Sequence, residues 1–111
     1  MKYALLICDD ESVSPSNEEL EADAGHRAWQ ADLDRRGAKL GGVRLRPVVD
    51  ATTVRVRDGE TLVSDGPFAE TKDFVGGVVV VECANLDEVI AVTAGHPCVR
   101  GGGVETRPVW E

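Results

Sequence analysis

The 111 residues suit one domain around one hydrophobic core, and their 42% apolar content holds no run long enough to cross a membrane. A net charge of −8 argues against nucleic acid as a partner, because phosphate binding draws on an excess of Lys and Arg. Cys8, Cys83 and Cys98 are odd in number and lack C-x-x-C spacing, so free thiols in a reducing cytoplasm are expected.

The chain opens on KYALLIC, Lys2 to Cys8, a short apolar run that ends in acids. It has neither the long apolar region nor the small-residue cleavage site of a signal peptide, and it reads as a buried first strand. Ser16 and Glu19 then form a capping box for one long helix that closes at Arg35, Arg36 and Gly37. AKLGGVRLRPV, Ala38 to Val48, is a strand weakened by Gly41-Gly42 and stopped by Pro47. A hairpin follows, TTVRVR and ETLVS about the Asp58-Gly59 turn pair. SDGPFAETK, Ser64 to Lys72, is a stiff turn that places Phe68 under the sheet edge, with Glu70, Thr71 and Lys72 outside. Phe74 to Cys83 carries four consecutive valines and is the strongest strand. Asn85 and Glu88 cap a short apolar helix that stops at Gly95, and Val104 to Trp110 is the last strand.

This order predicts a single α+β domain over residues 1–111, a ferredoxin-like β-α-β-β-α-β split with an inserted β-hairpin. Two helices then cover one face of an antiparallel sheet. The other face is left apolar, since Val78 to Val81 do not all point one way. A second subunit is expected to cover it, giving a homodimer.

At about 100° per residue the long helix shows two stripes. Leu20, Ala24, Ala28 and Ala31 form a thin face suited to close packing, and Ala22, His26, Trp29 and Leu33 form a second. His26 stands at the polar border of the second stripe, where an imidazole reaches a cleft with a nitrogen free for acid–base work. A boundary histidine bonded to a neighbour is the plainer alternative. Asp65 is the candidate to orient His26, against the common habit of Asp to cap its own turn. Lys72 and Arg107 are candidates to stabilise an oxyanion, and Trp29 and Phe68 to give apolar contact to a small ligand.

Other chemistries find less support. His96 and Cys98 lie close in sequence, but no second pair stands at zinc spacing, and Asp9, Asp10 and Glu11 read as a solvated loop. Neither a metal nor a cofactor is expected. RGGG, Arg100 to Gly103, leads into a strand and lacks the Lys-Ser/Thr pair of a phosphate loop.

The block DGPFAETK, the terminal VETRPV and the opening KYALLIC together resemble the YCII-related family, in the subgroup named for its D-G-P-F signature. The resemblance runs over nearly the whole chain. It implies a dimeric α+β barrel and a ligand cleft in which relatives carry a helix histidine and an acid. His26 stands where that histidine is expected, and Asp65 is the closest candidate for the acid. Many relatives carry an acid just before the glycine that ends the first helix, where this chain has Arg35 and Arg36. Small lyases and isomerases share the fold, and family members occur beside ECF-type sigma factors. The resemblance thus implies either a cofactor-independent enzyme or a non-catalytic binding module with a sigma-factor link.

Overall fold

The structure, a computed structural model, describes residues 1–13, 15–68 and 73–111. Alternation in the first strand, β1 (Lys2–Asp9), sends Tyr3 and Leu5 inward, with Ile7 packed against the core they enter. Ala4 and Leu6 point the other way. β1 pairs antiparallel with β5 (Phe74–Glu82) on one side and β6 (Gly103–Pro108) on the other. β2 (Lys39–Arg44) joins the far edge of β5, and the sheet order is β2-β5-β1-β6. The register puts Tyr3 opposite Val81 and Leu5 opposite Val79, so these four share one face; Ala4 and Val80, Leu6 and Val78 share the other.

Helices α2 (Ala24–Arg36) and α3 (Leu86–Ala94) cover the first face. Trp29 and Leu33 of α2 and Val89 and Val92 of α3 close a core with Tyr3, Leu5, Val79 and Val81. Each such buried side chain contributes about 1.5–3 kcal/mol by leaving water. Asn85 Oδ1 accepts the Glu88 amide at 3.0 Å, the cap expected for α3. Gly37 takes φ 61° after α2, and its amide and that of Ala38 bond back to Asp34 and Leu33 carbonyls.

The expected single long helix is two. α1 (Asn17–Ala22) stops at Asp23, whose carboxylate accepts the His26 amide at 2.8 Å and starts α2. Asp23 has extended backbone (ψ 122°), so one residue ends one helix and caps the next. Angular reckoning from Leu20 therefore does not carry across Asp23. The expected close packing of Ala24, Ala28 and Ala31 is not found; all three are exposed, and the Trp29–Leu33 stripe faces the core. β2 ends at Arg44, short of the expected Val48, because Pro47 has no N–H to give and Val48–Asp50 turns as a 3-10 segment. The last strand ends at Pro108, leaving Trp110 fully exposed.

The inserted hairpin is a separate two-stranded sheet, β3 (Thr52–Arg57) with β4 (Glu60–Asp65). Asp58 and Gly59 both take positive φ, 49° and 78°, as a two-residue turn matched to strand twist requires. Val54, Val56, Leu62 and Val63 are all exposed on it. Phe68 is not held under the sheet edge: it is 74% exposed, with the Arg55 guanidinium 4.5 Å from its ring centre.

One approach is unusually close. A side chain at Gly102 would put its Cβ 2.1 Å from the Cys8 carbonyl oxygen and 3.0 Å from Asp9 Cα. The 3-10 turn Pro97–Val99, three residues earlier, packs against β1.

Candidate functional site

Between α2, the β2 edge and the end of β1 lies a cleft of about 570 Å³. Three glycines, Gly42, Gly76 and Gly77, line it, and a Cβ at Gly42 would stand 3.1 Å from both the Val78 carbonyl oxygen and Val79 Cγ2, so β2 and β5 approach there only as glycine allows. Asp9, Asp10 and Glu11 are part of the lining, not the solvated loop expected of them. Both oxygens of Glu11 accept the Val48 amide, at 3.1 and 3.0 Å, and tie one rim of the cleft to the other. Arg44 reaches back to Asn17 Oδ1 and the Pro15 carbonyl, and Lys39 Nζ donates to Gln30 Oε1 at 3.1 Å. Both cations line the cleft.

Two imidazoles also line it. His26, in the first turn of α2, is half-buried, and its ring centre lies 6.0 Å from that of His96, with the planes at 90°. His96 follows the end of α3 and is only 5% exposed. Trp29 sets both in place. Its indole N–H donates to the Val92 carbonyl at 3.0 Å, and its ring stands edge-to-face with His96 at 4.6 Å between centres. The His26 ring centre lies 6.3 Å from that of the indole, so the three rings form one cluster.

Burial lowers the pKa of His26. Asp23 opposes that shift, and the positive charges of Lys39 and Arg44 add to it. His96 is lowered further, to about 4, chiefly by burial, then by His26, with Asp9 opposing. Both rings are therefore neutral near pH 7. The sign of the stability effect follows. The unfolded His96 takes its proton near pH 6.5 and the folded one resists it until about pH 4, so stability falls as pH drops through that window. The expected loss for this one residue is on the order of 3 kcal/mol. Urea midpoints at pH 7 and pH 4.5 check it: His96→Gln should flatten the difference seen in the wild type, and an unchanged slope would refute the assignment.

Cys98 Sγ donates to Asp9 Oδ2 at 3.6 Å, and burial followed by that carboxylate pushes the thiol up to about 11. A thiol held protonated in this way is a poor nucleophile near neutrality. Among the described residues no three His, Cys, Asp or Glu side chains stand as a metal-holding group. No helix among them is long and apolar enough to cross a membrane.

Of the residues singled out from sequence, His26 and Trp29 line the cleft, while Asp65, Phe68 and Arg107 do not. Asp65 ends β4, paired with Thr52 in the separate hairpin sheet. Arg107 sits opposite Ala4 on the sheet face away from the core and pairs with Glu105 at 3.6 Å. Lys72 lies outside the described residues. The expected meeting of His26 with Asp65 is thus not made within one chain. Sequence reading weighed His96 only as a metal ligand, and passed over Asp9 as surface and Lys39 and Arg44 altogether. The available signal was position: Asp9 ends β1 and Arg44 ends β2 at the same end of the sheet, and His96 follows the end of α3, the usual places for site residues, whereas Lys39 opens β2 at the other end and carried no such signal.

The profile of the YCII-related domain matches residues 1–111. An uncharacterised protein of Rhizobium meliloti (strain 1021) is 39% identical over 115 residues, which cover 98% of this chain and 92% of that protein.

Proposed function

This chain belongs to the YCII-related family, and from that premise we propose that it is a small cofactor-independent enzyme of lyase or isomerase type. It moves a proton on a small carbonyl- or enol-bearing substrate held in the cleft, with His26 as general acid–base. The observation that carries this reading is the pair of imidazoles on the wall of one cleft, with ring centres 6.0 Å apart. A base whose pKa lies below the working pH is free of its proton when substrate arrives, and half-burial leaves His26 within reach of the cleft. Trp29 supplies the apolar back wall.

The strand order β2-β5-β1-β6 supports a ferredoxin-like arrangement. The apolar outer face of Ala4, Leu6, Val78 and Val80 supports a homodimer that covers it. Asp65, Phe68 and Arg107 enter the site only through a second copy that brings them over the cleft. A second reading, a non-catalytic module that binds a small ligand or a protein such as a sigma-factor partner, draws on the exposed apolar hairpin.

A panel of small 2-oxo and 3-oxo acids, read by thermal shift and by deuterium uptake from D₂O at the α-carbon, separates the two. The enzyme reading expects a stabilising ligand whose exchange the wild type speeds and His26→Ala slows by about 10²-fold or more. Stabilisation of both proteins to the same extent, with no exchange, sinks it and favours the binding module.

A further inference from the structure

His96 has a fixed hydrogen-bonding polarity that the proton-transfer reading leaves unused. The Cys98 amide donates to its Nδ1 at 3.1 Å, which caps the 3-10 turn Pro97–Val99. A backbone N–H needs a lone pair to point at, so Nδ1 is unprotonated and the neutral ring carries its hydrogen on Nε2. Cys98 is thereby bound at both ends, its amide by His96 and its thiol by Asp9. Among the described residues the buried side-chain nitrogen or oxygen without a partner is Thr93 Oγ1. Nε2 of His96 is therefore not sealed away, and the ring lines the cleft beside His26.

The geometry points to His96 as a neutral hydrogen-bond donor, presenting Nε2–H to the carbonyl or enolate oxygen of a substrate held in the cleft. This deepens the proton-transfer reading of the same site and rests on it. As His26 takes a proton from carbon, the C–H electron pair becomes the C=C bond of the enolate, the π pair of the neighbouring carbonyl moves onto its oxygen, and the charge that develops there is met by the His96 N–H. A neutral donor suits the step better than an imidazolium. It strengthens its bond to the oxygen as charge grows but keeps its own proton, so the enolate is stabilised without being quenched. The groups that face the ring keep it in that form: its burial and His26 from α2 disfavour a positive charge, Asp9 from β1 favours one, and the outcome lies well on the neutral side. The bond from Cys98 prevents the ring from presenting its lone pair to the cleft instead. The substrate class that fits is one whose oxygen lies on the atom next to the acidic C–H.

Nitrogen-15 NMR of the imidazoles tests the tautomer without any ligand. His96 should show an unprotonated Nδ1 and a protonated Nε2 from pH 8 down to pH 5, and an imidazolium at pH 6 or the reverse tautomer would overturn the assignment. Binding of p-nitrophenolate, an oxyanion of suitable size, tests the donor. His96→Gln places an amide N–H near the depth of Nε2 and should keep affinity within about threefold, while His96→Asn keeps an acceptor for the Cys98 amide but lacks the reach. The Asn variant should lose about 10–100-fold, the range for a hydrogen bond to a charged group. Thermal melts of both variants show whether each is folded. Equal affinity in His96→Asn and wild type, or equal loss in both variants, makes the position structural and overturns the proposal while the cleft reading stands. Failure of the wild type to bind the phenolate removes the cleft reading and this one with it.

Discussion

Replacing Trp29 by alanine is expected to destabilise the protein by roughly 3–5 kcal/mol. The side chain is 3% exposed, lies against the core built by Leu5, Leu33 and Val92, and donates to the Val92 carbonyl, which would lose that donor. A domain of this size holds about 5–15 kcal/mol in total, so the loss is a large share of it. With about 4 °C or more per kcal/mol, calorimetry should show a drop of about 12 °C or more. The same change removes the ring that holds His96 edge-on at 4.6 Å. Trp29→Phe, which keeps an aromatic face but no N–H, is expected to recover most of the stability. A loss below about 1 kcal/mol for Trp29→Ala would mean that the indole is not part of the core.

Charging the outer sheet face is expected to abolish self-association. Val80 lies on the central strand β5 beside Ala4, on the side that α2 and α3 leave uncovered. Leu40 and Val43 extend that face at the β2 edge and are 52% and 62% exposed. If a second copy covers the face, sedimentation velocity should find the wild type at twice the 11.9 kDa of one chain and Val80→Asp at the single mass. A carboxylate buried in such an interface without a partner costs several kcal/mol, enough to break a dimer held mainly by apolar contact. Because Val80 points away from the core, the variant should still melt cooperatively. A wild type that stays monomeric at tens of micromolar would refute the dimer outright.

Much of the architecture was legible because its signals are local. The strand-to-helix changes of period, the Asp58-Gly59 turn and the Ser16 and Asn85 caps all act within four residues, and the structure keeps each of them. The break at Asp23 escaped because the apolar period runs on across it, although Asp favours a cap over a helix interior, and here its carboxylate takes the His26 amide. The site was legible by half. His26 and Trp29 share a helix, so their proximity follows from spacing alone. His96 meets them from 70 residues further along, through the packing of α3 on the sheet, and no local signal carries that. Asp65 was drawn toward His26 by the distinctiveness of its own turn, but among the described residues β3 and β4 pair only with each other and take Asp65 with them.

The contact of Gly102 with the Cys8 carbonyl has a consequence for how variants of this protein should be interpreted. The 2.1 Å clash that a Cβ there would make is with backbone, so no rotamer relieves it, and even alanine must push its segment, which continues from the Pro97–Val99 turn, away from β1. That turn carries the Cys98 amide that fixes the His96 ring, and β1 carries Asp9. In a saturation library scored only for ligand binding, position 102 would behave as a site residue while never touching what is bound.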